Sequence, residues 1–133
     1  MKLNYSKILF FLFFFVAGIT HFFAPLVYMD MIPDYFPSKT IINSISGFLE
    51  IIISILILPR QTRKFAAVLA IVLLLAYIPA HIWFIRKEPC FNTYCIPVWV
   101  GWVRLLLIHP LLIWWAYRLG FKTNTRHVPR TSV

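Results

Sequence analysis

Four long apolar runs limit this chain more than any other feature. Reading between the charges, they cover residues 8–28, 41–58, 65–85 and 97–117. Each is close to the ~20 residues that a helix needs to cross ~30 Å of hydrocarbon. Runs this long and continuous are not barrel strands, which are shorter and alternate in polarity. A four-helix membrane bundle is therefore expected. Composition agrees: the chain is 61% hydrophobic and 13% charged over 133 residues. A soluble domain of that size has too much surface to hide so much apolar side chain.

The net charge of +9 does not point to nucleic acid, because the basic residues sit between apolar runs and not along one face. Four crossings put Lys2, Lys7, Arg60, Arg63, Lys64, Arg118, Lys122, Arg126 and Arg130 on one side. Lys39, Arg86 and Lys87 fall on the other, with Asp30, Asp34 and Glu88. Nine against three predicts that both termini are cytoplasmic. The start, "MKLNYSKILFFLFFFVAG", has signal-peptide character, but its apolar run continues into "HFFAPLVY" without a clear cleavage site. It is read as a retained first helix. Residues 1–119 form one expected transmembrane domain, and 120–133 a flexible basic cytoplasmic tail. The segment "MDMIPDYFPSKT" reads as an interfacial connector, with a cap over the bundle mouth as the sharper alternative.

Ionisable residues inside these runs are the candidate site, because a charge in hydrocarbon needs a partner, a cavity or a proton. On the second run Asn43, Gly47, Glu50 and Ser54 recur at helical spacing, with Ser46 beside them. The first run offers His21, the third Tyr77 and His81, and the fourth Arg104. At ~1.5 Å per residue, His81 lies about 6 Å below the outer end, His21 and Arg104 about 10 Å, and Glu50 about 14 Å. His109, five residues beyond Arg104, is expected to point about 140° away. A Glu50–Arg104 ion pair completed by His21 and His81 is expected. Such a cluster either fixes helix register or forms a pocket for a polar headgroup.

Cys90 and Cys95 fall in the last outer loop, "RKEPCFNTYCIP". Their spacing is not C-x-x-C, which favours a structural staple over a redox-active pair. No metal-site motif is present, and haem is disfavoured because the histidine depths do not match and no C-x-x-C-H occurs.

The order of short motifs in "AGITHFFAPLVYMDMIPDYFPSKTIINSISGFLEIIISILILPRQTRKFAA", followed by "YIPAHIWF" and "WVRLLLIHPLLIWWAY", resembles the DoxX-like small membrane proteins. The resemblance runs to Tyr117 and differs at His81, where that family commonly has Asn, and at Ile108–His109–Pro110. It implies a four-helix bundle of redox-linked type, multi-pass in a bacterial cytoplasmic (inner) membrane. The expected role is a small redox-associated subunit holding a quinone or similar headgroup. His21, Glu50, His81, Arg104 and Tyr77 are the ligand-binding candidates. The expected partners are the lipid bilayer and a soluble or membrane redox protein. A non-enzymatic assembly subunit and a lipid or isoprenoid carrier are the alternatives.

Overall fold

The computed structural model describes residues 5–87, 90–91 and 94–122. Lys2, Glu88, Arg126, Arg130 and most of the basic tail lie outside them. The described elements are α1 (Tyr5–Phe23), α2 (Pro25–Met29), α3 (Lys39–Leu56), α4 (Arg63–Arg86), β1 (Cys90–Phe91), β2 (Tyr94–Cys95) and α5 (Val98–Phe121). Among the described residues, four helices (α1, α3, α4 and α5) are long and apolar enough to cross a membrane.

Prolines set several boundaries. The first expected run is split: α1 stops at Phe23, and Ala24 takes φ −129°, ψ 55° before Pro25 opens α2. A residue preceding proline is driven out of the helical region, which accounts for the break. Ser38 caps α3, its side chain accepting from the Ile41 amide. At the far end of α3, Thr62 Oγ1 donates to the Leu56 carbonyl at 2.7 Å. Arg63 donates to the Ile57 and Leu58 carbonyls, so that helix terminus is satisfied by the side chains opening α4. Within α5, residues Arg104–Ile108 form a π turn, with the His109 amide bonded to the Arg104 carbonyl. Pro110 explains it: a proline ring clashes with the carbonyl four residues back and supplies no amide, and the wider turn removes both problems.

The bundle has an apolar half and a polar half. Phe10, Phe14, Ile53, Ile57, Ala66, Ala70, Leu74, Leu112 and Ala116 make a dry core. They come from the first half of α1, the end of α3 with the Ile57 that caps it, the first half of α4 and the second half of α5. Phe10 stacks on Phe14 and meets Trp115 edge-on, and Trp115 Nε1 donates to Ser6 Oγ at 2.8 Å. Gly120 of α5 lies against Ala67 of α4, so small residues let those two helices approach closely. Lys7, Arg60, Arg63, Lys64, Arg118 and Lys122 therefore gather at this end.

On α3 the usual polarity is reversed. Ile41, Ile45, Phe48, Ile52 and Ile55 face outward, while Asn43, Ser46, Gly47, Glu50 and Ser54 are buried. An apolar exterior around a polar interior is what a lipid environment selects.

Candidate ligand pocket in the polar half

The close approach of α1 and α3 positions the site. Gly18 and Gly47 face one another: a Cβ on Gly47 would stand 2.8 Å from His21 Cβ and 2.9 Å from the Gly18 carbonyl oxygen. Two glycines at this crossing bring His21 down onto the α3 polar face.

His21 Nδ1 lies 2.8 Å from Asn43 Oδ1, and Asn43 Nδ2 donates to the His21 carbonyl at 2.8 Å. The second bond fixes the amide orientation, so Oδ1 must accept and His21 Nδ1 carries a proton. His21 Nε2 then faces Glu50 Oε2 at 3.6 Å. The other carboxyl oxygen, Oε1, accepts from the Tyr77 hydroxyl at 2.9 Å. Tyr28 stacks on the His21 ring with centroids 3.8 Å apart, and its hydroxyl lies 2.6 Å from Thr20 Oγ1.

On α4 the Tyr77 carbonyl lies 2.8 Å from His81 Nδ1. A carbonyl can only accept, so Nδ1 donates, and in the neutral ring Nε2 keeps its lone pair. His109 Nε2 donates to the Leu74 carbonyl at 2.7 Å. The His81 and His109 rings meet edge-on at 4.7 Å. The expectation that His109 stands apart from this cluster is thus corrected. It assumed 100° per residue, whereas a π turn takes more residues for each revolution.

The expected Glu50–Arg104 ion pair is absent among the described residues. Glu50 is bound by Tyr77 and faces His21, while Arg104, an exposed residue, lines the same cavity without pairing with Glu50. All five ligand-binding candidates, His21, Glu50, Tyr77, His81 and Arg104, nevertheless converge.

They line a cavity of about 210 Å³ between the helices. That is room for a ring-sized head, or for about seven waters at ~30 Å³ each. The connector over residues 30–38 is its roof: Met31, Ile32, Pro33, Tyr35 and Phe36 all line it, and Ile32 and Pro33 are buried. The blander interfacial-connector reading is thereby replaced by the cap. Asp34 ties this segment down, accepting from Lys39 and, at 3.5 Å, from Lys87. Those contacts hold its carboxyl below the usual range, the Lys39 hydrogen bond contributing most.

Two polar atoms at the cavity have no hydrogen-bond partner among the described residues: Glu50 Oε2 and His81 Nε2. Their residues are only 5% and 7% exposed. A family model described as a domain of unknown function, DUF8561, matches residues 10–120. The chain belongs to the DUF8561 family. No curated protein and no solved structure matches it.

Outside the pocket of this DUF8561 member, β1 and β2 pair antiparallel with Cys90 opposite Cys95. Cys95 is disulfide-bonded, in a chain with two cysteines. No cluster of three or more His, Cys, Asp or Glu suited to a metal ion occurs among the described residues. Asn43 lines the cavity though it was not among the ligand-binding candidates, and His109 adjoins the cluster through His81. Asn43 was visible as a polar residue seven before Glu50 on the same face. His109 had no such signal.

Proposed function

We propose that this chain is a DoxX-like, redox-associated subunit of a bacterial cytoplasmic membrane that holds a quinone or similar headgroup in the polar-half cavity. The observation that carries this reading is the pair of unpartnered, buried atoms, Glu50 Oε2 and His81 Nε2, on one mostly apolar cavity. A network with only a structural role would close on itself, because each unmatched buried polar group costs about 1–3 kcal/mol. A headgroup oxygen between these atoms would supply the missing partner. Tyr77 orients Glu50, and His21 Nε2 stands 3.6 Å from its free oxygen, Oε2. Electron transfer would be completed by a partner subunit.

The basic end of the bundle supports an orientation with both termini cytoplasmic and the cavity in the outer half. The apolar roof favours a second reading on the same site, an isoprenoid or lipid carrier without redox change.

An oxidised-minus-reduced absorption spectrum of the detergent-purified protein, taken before delipidation, separates the two. A quinone-type ultraviolet difference that is lost in Glu50→Gln is expected. A flat spectrum combined with an extractable isoprenoid would transfer the site to the carrier reading.

A further inference from the structure

We propose that the groove at the basic end of the bundle, where the last turns of α5 run past the start of α1, binds the phosphate of an anionic phospholipid. The ligand cavity lies at the opposite end, and the inference does not depend on what that cavity holds.

Lys7, Arg60, Arg63, Lys64, Arg118 and Lys122 gather at this end, and no acid of the chain is there to meet them. The chain has four acidic residues. Asp30 and Asp34 belong to the roof segment, Glu50 lies in the polar half, and Glu88 follows Lys87 in sequence. Lys7, Arg60 and Arg63 stand close enough for their charges to oppose one another. Arg63 is occupied by the Ile57 and Leu58 carbonyls, and Lys64 lies over the Phe121 ring. The side chains of Arg118 and Lys122 have neither an ion pair nor a hydrogen-bond acceptor among the described residues.

A positive end by itself only orients a chain in its membrane. Shape makes this one a site. Leu111, Trp115, Arg118 and Lys122 recur on α5 at spacings of four, three and four, with Trp114 beside them, so they share one face. They line a groove of about 420 Å³ that Ser6 of α1 also borders. The groove grades from apolar to basic, because Leu111 lies about 10 Å deeper than Arg118 at ~1.5 Å per residue. An acyl chain and its phosphate follow the same order. Arg118 is held in place for the phosphate. Its guanidinium carbon lies 4.9 Å from the centroid of the Trp114 ring, and this contact leaves the N–H edge to face anionic oxygens. Lys122 adds a second charge one turn further on. Ser6 Oγ accepts from Trp115 Nε1 and keeps a proton of its own to donate. A phosphodiester seated there meets donors on two helices and supplies the negative charge that this end lacks.

The full chain in a non-ionic detergent is mixed with equal amounts of phosphatidylglycerol and phosphatidylcholine of identical acyl chains. Native mass spectrometry then counts the lipid retained. The two lipids share the phosphate and differ in the compensating charge of choline. Phosphatidylglycerol is expected to be retained roughly tenfold more, as two basic contacts give. Arg118→Ala and Lys122→Ala should each lower that preference about fivefold. Arg118→Lys should fall between, since it keeps the charge and loses the planar fork. Arg86→Ala, an exposed cation at the opposite end, should leave the preference unchanged. Equal retention of the two lipids overturns the inference. A preference that survives both alanine variants, or that falls as far in Arg86→Ala, overturns the site and leaves only net charge. Arg118 and Lys122 are both exposed, so their replacement keeps the packing intact. Should one variant fail to fold, the other decides. None of these outcomes alters the absorption spectrum that tests the cavity.

Discussion

Glu50 is a carboxyl in a lipid-facing bundle that has a use for each of its oxygens. One accepts from Tyr77, and the other faces both a histidine and open space. The energetic weight of such a network is uneven, and its unevenness can be measured. Asn43→Ala strips the His21 Nδ1–H and the His21 carbonyl of their partners together. It should lower stability by about 1–3 kcal/mol. Tyr77→Phe removes one bond and leaves the backbone carbonyl that holds His81 in place. Its cost should be about 0.6 kcal/mol, the average for single hydrogen bonds inside membranes, and at most about 1.7 kcal/mol. Thermal unfolding of the detergent-solubilised variants ranks the two, and the reverse order would show that Tyr77 carries the network.

At the scale of elements, the α1–α3 crossing and the π turn of α5 decide whether these side chains meet. Gly47→Val would place carbon where His21 Cβ and the Gly18 carbonyl now stand. The helices must separate, and overpacking of this kind costs about 1–3 kcal/mol or more. Ile52→Val, on the exposed face of the same helix, should stay within about 0.5 kcal/mol in the same unfolding assay. The Gly47 variant should also lose the His21–Glu50 contact, which chemical shifts of the imidazole nitrogens would report. In α5, Pro110 produces the π turn that brings His109 to the Leu74 carbonyl and the edge of His81. A regular helix through the same residues would rotate His109 away.

Across the whole molecule, the two ends of the bundle differ in chemistry. The basic end is filled by an apolar core with Phe10, Phe14 and Trp115 packed together. The opposite end carries the cavity, its roof and the Cys90–Phe91/Tyr94–Cys95 ladder. Asp34 secures the roof, and its pKa is depressed below the ordinary 3.8 by Lys39 first and Lys87 second. A depressed carboxylate contributes stability that is fully present above its unfolded pKa and is lost as pH falls through the lower folded value. Roof attachment should therefore be flat from pH 8 to about 5 and weaken only below about 4. Hydrogen exchange of the 30–38 amides against pH checks this, and a transition near pH 6 would assign control to a histidine instead. For the proposed orientation, an impermeant thiol reagent added to intact cells after mild reduction should label Cys95. It should leave a cysteine placed at Gln61 unlabelled.

Sequence alone determined the class of the fold and the ionisable residues that line the cavity. Long apolar runs have few ways to satisfy their backbone in lipid, so four helices follow from length and hydropathy. Polar residues at helical spacing must then turn inward, which identified His21, Glu50, Tyr77 and His81 before any packing was known. Pairing was decided only in three dimensions. Arg104 and Glu50 were matched by charge and depth, yet packing gave Glu50 to Tyr77 and His21 and left Arg104 lining the same cavity without an ion pair to it. The inward swing of His109 was hidden too, and the roof over the cavity was visible only as one of two readings of its connector. Periodicity gives a residue's face on its own helix, while the rotation of one helix against another, and a π turn that resets the phase, arise from packing.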